Sequence, residues 1–306
     1  MKGMKVKQKN KNAFFARFSI VKILGFLILS AYALFMIYML VWAITNSLKG
    51  KIDYTLDPIG LYPKNYFDEG WCFSNYADAL KMLSFTDRHG VDHNAFSMLF
   101  NTLVISLGAT LAGLASRILV SYCCARYNFK LGAIIVTTVL VVMMIPVVGS
   151  LPSMLQLVKT LNIYDTYWGF MLMKFGFADS YFLVLYAAFK TIPKDYSDAA
   201  KIDGAGHWTI MLRIMIPLCS SVIFAIAVLQ FVALWNSYSD QMIFLSSMPV
   251  INFGLYSIFV SGIVPAGYTQ PKGLAAALIV LAPVLALFII FRERLMTNIS
   301  LGGLKG

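Results

Sequence analysis

Residues 190–218 read KTIPKDYSDAAKIDGAGHWTIMLRIMIPL. Pro193 suits the first turn of a helix, where its missing N–H forfeits no hydrogen bond. Asp195 and Asp198 lie near that N-terminus, where negative charge is favoured. Ala199 and Ala200 are strong helix formers, and Gly204 and Gly206 end the helix. A second short helix is predicted from His207 to Arg213, and Pro217 lies near the start of the apolar run that follows. The pattern is a helix–turn–helix whose Ala and Gly present a small, knobby surface that a partner can approach closely. Taken alone, the same composition also suits an ordinary amphipathic connector.

The segments on either side decide where this loop lies. The chain has 306 residues, 59% hydrophobic and 13% charged, with a mean hydropathy of +0.74. A water-facing surface needs about twice that charge density, which excludes a soluble enzyme and a disordered chain. Six runs approach the roughly 20 apolar residues that cross a bilayer: 23–44, 96–123, 131–151, 167–189, 214–235 and 274–291. All are expected to be helices, since backbone groups in lipid must be satisfied within their own segment. The first run is long and lacks a small-residue cleavage site, so it reads as a retained helix. Pro146 and Pro152 are expected to kink and end the third span. The four cysteines fit neither a metal site nor a disulfide framework.

The net charge of +11 would suggest nucleic acid in a soluble protein. Here it sorts by side of the membrane. With the N-terminus inside, sixteen of the 25 Lys and Arg fall on the cytoplasmic side and seven outside. Arg117 and Lys174 lie inside predicted spans. This bias places both termini and the 190–218 loop in the cytoplasm and excludes nucleic acid as the partner. The predicted organisation is a basic cytoplasmic N-terminus at 1–22, a first span at 23–44 and an external loop at 45–95. A core of five spans follows at 96–291, with a cytoplasmic tail at 292–306. The external stretch 236–273 has apolar patches too short and too broken to span, which suits an interfacial helix.

The spacing within the loop carries a resemblance. Asp198-Ala199-Ala200, three residues, Gly204, nine residues, Ile214, one residue and Ile216-Pro217 closely resemble the EAA loop of ABC-importer permeases, at 190–217 here. Asp198 stands where the pattern has Glu, and Ile216 where it has Leu. Asp keeps the charge and shortens the reach by one methylene. Asp203-Gly204-Ala205, the Ala233-Leu234-Trp235-Asn236 run and Asn101-Thr102 resemble the sugar-importer branch. The tail Leu301-Gly302-Gly303-Leu304-Lys305-Gly306 resembles that of maltose-type permeases of the second-subunit kind.

The resemblance implies an all-α membrane protein with the type I ABC importer permease fold, in the cytoplasmic membrane of a bacterial-type cell. It implies a second homologous permease subunit, two ATPase subunits and an external solute-binding protein. ATP and Mg would be held by the ATPase, with no cofactor in this chain, which has no G-x-x-x-x-G-K-[ST] loop. It implies that Asp198, Ala199, Ala200, Asp203, Gly204, Ala205, Ile214 and Pro217 couple to the ATPase. It further implies that Gly302, Gly303 and Lys305 of the tail reach it, unless the tail is a frayed terminus. The implied cargo is a carbohydrate, an oligosaccharide by preference; an amino-acid or peptide importer shares the loop. A membrane-embedded enzyme is the rival of another class, but His89 and His93 come with no catalytic set. A secondary transporter is disfavoured by the loop and the span count.

Charges inside spans are candidates for function. Arg117, near the cytoplasmic end of its span, is expected to snorkel. Lys174 and Asp179 are five apart and poorly spaced to pair on one helix. Asp179 is a candidate for the substrate pathway or for pairing with the partner subunit. Gln230, Trp235, Asn236 and Tyr238 suit a sugar's hydroxyls and apolar ring faces, while for Trp235 and Tyr238 the interfacial aromatic belt is preferred.

Overall fold

The second apolar run becomes a 32-residue helix because nothing in it breaks the 3.6-residue repeat, and Asn94 caps its start by accepting from Ser97 N at 2.9 Å. The computed structural model describes residues 20–65, 70–127, 129–145, 149–260 and 265–301. In chain order the elements are α1 (Ile20–Ser47), α2 (Lys51–Leu56), α3 (Ser74–Met82), β1 (Phe85–Thr86), β2 (Asp92–His93), α4 (Ala95–Arg126), α5 (Lys130–Met144) and α6 (Ser150–Thr160). Then come α7 (Tyr167–Met173), α8 (Ser180–Thr191), α9 (Asp195–Ile202), α10 (His207–Ile210), a π-helical turn (Met211–Met215), α11 (Ile216–Leu218), α12 (Ser220–Asn236), α13 (Ser239–Phe244), α14 (Ile251–Phe259) and α15 (Gln270–Leu301). The two strands pair antiparallel, Phe85 with His93 and Thr86 with Asp92.

The chain divides into two units. The first comprises residues 1–78 and 268–278. Its α1 is an apolar helix exposed along most of its length. Beyond α1 the chain closes on Lys49, which is 1% exposed and donates to the carbonyls of Asp57 (2.7 Å) and Gly60 (2.6 Å). Burial pushes the Lys49 ammonium below its ordinary value, against the pull of Asp57 and Asp53. Asn75 donates to the carbonyls of Ser47 and Lys49, both at 2.9 Å.

The second unit comprises residues 79–267 and 279–306 and carries the core. Helix α4 packs chiefly against α8 and α12. Its inward face runs through Thr102, Ser106, Thr110, Gly113, Arg117 and Ser121, a buried row spaced three or four residues apart. Lipid is as apolar as leucine, so close packing of small residues and polar contacts, rather than the hydrophobic effect, holds membrane helices together. One apolar cluster includes Tyr122, Leu185, Phe189 and Met215; another includes Ile105, Phe170, Leu234 and Leu245.

Among the described residues three helices are long and apolar enough to cross a membrane, at 22–47, 95–126 and 270–292. The paired segments 207–218 and 220–236 make a fourth if taken as one span, bent by 75°. The expected fifth span is therefore not straight. Pro217 has no N–H for the carbonyl four residues back, and a π turn precedes it where the ladder is disturbed. The expected third span stops at Met144, and a second helix starts after Gly149, whose φ of +77° suits glycine. Pro152 lies in the first turn of that second helix, where proline is tolerated, and so does not end a span. Pro146 lies outside the described residues. The expected fourth span is interrupted between Met173 and Ser180, because Asp179 caps α8 by accepting from Phe182 N at 3.1 Å. Among the described residues, the expected interfacial stretch 236–273 holds two short helices, α13 and α14, before α15 begins at Gln270.

Candidate functional site: a capped loop and a buried ion pair

The loop after α8 folds as its spacing dictates. Gly204 N donates to Lys201 O at 3.0 Å and Ala205 N to Ala200 O at 2.9 Å. With Gly204 at φ +80°, this is a Schellman cap. The cap explains the pattern: Ala200 and Ala205 are the two apolar partners that close such a motif, and both pack into the cluster around Phe189. Gly206 then starts α10, accepting from Ile210 N at 3.0 Å. Helix α9 begins at Asp195 rather than Pro193.

Outward from the loop project Tyr196, Ile202 and Trp208, with Ile202 87% exposed. Asp198, Ala199, Asp203 and Pro217 are also exposed, and Ile214 is half-buried. Asp198 pairs with Lys201 at 2.9 Å, and that hydrogen bond holds its carboxyl below the ordinary value. Tail residues Gly302, Gly303 and Lys305 lie outside the described residues.

Arg126, at the end of α4, fastens the loop to the bundle. Its guanidinium donates to the carbonyls of Ile192 (2.9 Å) and Pro193 (3.3 Å) and lies 3.1 Å from Met215 Sδ. Charge-assisted hydrogen bonds contribute about 1.5–3 kcal/mol each. Arg126→Ala is therefore expected to speed amide hydrogen exchange over residues 192–206 by at least about tenfold. Unchanged exchange there would mean that the loop is held by its apolar contacts alone.

Further along α4, Arg117 does not snorkel. It is 8% exposed and turned into the bundle. Its Nε and Nη2 lie 2.8 and 2.5 Å from Asp179 Oδ2, and Nη1 donates to Gln230 Oε1 at 2.7 Å. The Tyr181 ring lies 5.7 Å from its guanidinium carbon. An intramembrane arginine is costly unless paired, and here the partners are internal, supplied by α12 and by the residue that caps α8. Gly113 makes room for the arrangement: a Cβ there would collide with Arg117 Nη1 and Gln230 Nε2. Ser116 Oγ donates to Gly176 O at 3.1 Å, satisfying a carbonyl in the break. Lys174 Nζ lies 2.7 Å from Asp240 Oδ2.

The structure thus brings Asp179 and Gln230 together through Arg117. The other pathway candidates lie apart from this pair. Trp235 is 3% exposed and donates Nε1 to Val280 O at 3.3 Å, so it is a packing anchor and not part of an aromatic belt. Asn236 is exposed, and Tyr238 stacks on Tyr256 with centroids 4.7 Å apart. The Asn101-Thr102 pair secures the start of α14: Asn101 Nδ2 donates to Pro249 O at 3.1 Å, and Ile251 N donates to Thr102 Oγ1 at 2.9 Å. Sequence reasoning missed Arg126 and Asp240, and it missed Arg117 as the centre of a network. An unpaired charge in each of two spans was the available signal.

The comparisons agree with this architecture. The family model for binding-protein-dependent transport system inner membrane components matches residues 117–299. The chain belongs to that family, whose members are transport components of the inner membrane rather than catalysts. It is 26% identical over 268 residues to the sulfoquinovosyl glycerol transport system permease protein SmoH of Agrobacterium fabrum, covering 87% of this chain and 88% of the relative. It is 29% identical over 213 residues to the arabinooligosaccharides transport system permease protein AraQ of Bacillus subtilis, covering 69% and 74%. A chain in the crystal structure of a bacterial ABC transporter involved in the import of the acidic polysaccharide alginate has the same fold. Its TM-score is 0.73 at 19% identity, over 90% of this chain and 96% of that one.

Proposed function

We propose that the chain is a permease subunit of an ATP-driven importer and forms half of a carbohydrate pathway, with an oligosaccharide as the preferred cargo. The sugars and glycosides in the names of its relatives support that cargo. The Schellman-capped loop carries the assignment. It offers a short exposed helix, α9, whose Gly204 turn has nothing within 4 Å of a would-be Cβ. Such a turn leaves room for a cytosolic ATPase to come close.

In this reading the chain crosses the membrane six times, with both termini in the cytoplasm. The two interrupted segments, α5–α6 and α7–α8, serve as spans alongside α1, α4, α10–α12 and α15. Non-helical backbone at membrane depth is tolerated where protein buries it. The contacts of Ser116 and Arg117 at the α7–α8 break support that. A second homologous permease completes the pathway, and two ATPases holding ATP and Mg dock one coupling loop each. A solute-binding protein delivers the sugar from outside. Closure of the ATPase pair brings the loops together and rocks the spans around a central site. A contact of Gly302, Gly303 and Lys305 with the ATPase is part of the same proposal.

The test is to purify the tagged chain from its native membrane with its partners and to measure ATP hydrolysis. Hydrolysis is expected to rise when the co-purifying binding protein is loaded with an oligosaccharide. Stimulation by amino acids or peptides instead would overturn the carbohydrate assignment. Absence of any ATPase in the complex would overturn the importer assignment.

A further inference from the structure

Away from the loop, a cavity of about 420 Å³ opens among the β-hairpin, α6, the turn that follows it and the stretch from α13 to α14. That volume is within the range of small-molecule sites. Its walls carry the rings of Phe85, Tyr164 and Phe253 together with two cations, Arg88 and Lys159, and no Asp or Glu lines it. Phe85 and Phe253 meet edge to face with centroids 4.6 Å apart, and the Lys159 ammonium lies 5.1 Å from the Tyr164 ring centre.

The carboxylates within six residues of these cations along the chain are Asp87, Asp92 and Asp165, and each is committed elsewhere; Asp92 accepts from Thr86 Oγ1 at 2.6 Å. Asp87 accepts from His89 N at 2.8 Å and Val91 N at 2.9 Å and faces His93 Nε2. Asp165 accepts from Ser246 Oγ at 3.2 Å and Ser247 N at 3.0 Å. Among the described residues no carboxylate lies within ion-pair distance of Arg88 or Lys159. Two cations from separate elements therefore share a concave, ring-lined wall with no protein counter-charge. A ligand suited to it carries an anionic group and an apolar face.

We propose that this cavity is a binding site for an anionic saccharide, whose carboxylate or sulfonate meets Arg88 and Lys159 while its ring lies against the aromatic wall. The proposal rests on the carbohydrate reading above and on an orientation that places the cavity outside. The test is amine footprinting of Lys159 in the assembled transporter, with trigalacturonate as the acidic probe and maltotriose as the neutral one. Trigalacturonate is expected to slow acylation of Lys159 by about tenfold and to leave Lys51 unaffected, while maltotriose protects neither. Arg88→Gln is expected to raise the half-protecting concentration about tenfold, as for loss of one charge-assisted contact.

Equal protection by both sugars, no protection, or protection unchanged in Arg88→Gln overturns the site. So does protection by the sugar-free binding protein alone, which would mark a protein-docking face. ATP-driven uptake is followed in the same preparation. Uptake without protection overturns this site and leaves the carbohydrate reading standing. Failure to take up any carbohydrate overturns that reading.

Discussion

Arg117→Ala is expected to destabilise the chain by about 2–3 kcal/mol, short of the cost of breaking a fully buried ion pair, because the Asp179 side chain keeps 35% of its surface exposed. The deletion leaves Asp179 and Gln230 facing a void within the bundle, and the Asp179 carboxylate loses both guanidinium contacts. It also loosens the interruption between α7 and α8, because Asp179 is the cap of α8. The informative comparison is the double variant Arg117→Met with Asp179→Asn. Asparagine still caps a helix, and methionine fills much of the space without a charge. That pair is expected to recover most of the loss, since replacing both members of a buried pair is often close to neutral. A thiol-reactive dye followed during heating in detergent reads this out, because Cys219 is buried in the native fold and free to react once it opens. If the double variant unfolds no later than Arg117→Ala, the charge pairing is not what holds the network.

Gly204→Val is expected to abolish most ATP-coupled uptake while the protein still inserts into the membrane. Two effects combine. A β-branched residue at φ +80° is strained, at about 1–2 kcal/mol or more, and a side chain would project from a turn that is otherwise bare. Gly204→Asn separates them. Asparagine tolerates the left-handed conformation, so the turn should persist while the added bulk remains. Uptake reduced by about tenfold in both variants would show that close approach of the partner is what matters. Loss in Val with normal uptake in Asn would make the backbone conformation the requirement. Normal uptake in both would remove this turn from the coupling surface.

The loop was legible in the sequence to a degree that the spans were not, and the reason is physical. A Schellman cap is a local device. The positions of Ala200, Gly204 and Ala205 along the chain determine it, so spacing alone reveals it. Helix α4 was equally plain because no proline interrupts its long apolar run, and two interior glycines are too few to break it. The break after Met173 was hidden because apolar content reads the same in one helix or two. What decides it is a carboxylate that caps locally and an arginine 62 residues away that pairs with it. Arg117 looked like a residue that would reach for the interface because its partners are not sequence neighbours. Trp235 was ambiguous on similar grounds, since its acceptor, the Val280 carbonyl, is 45 residues distant.

The clasp around Lys49 bears on how the first helix meets the bilayer. Lysines at span ends ordinarily stretch to the headgroups, and the lipid then helps set how deep a helix sits. Here the ammonium turns inward onto the Asp57 and Gly60 carbonyls, and Asn75 ties down the chain just beyond the helix. The end of α1 is thus moored to folded protein instead of to phospholipid. Its register against residues 49–75 of its own unit should stay constant when acyl chains are shortened or lengthened.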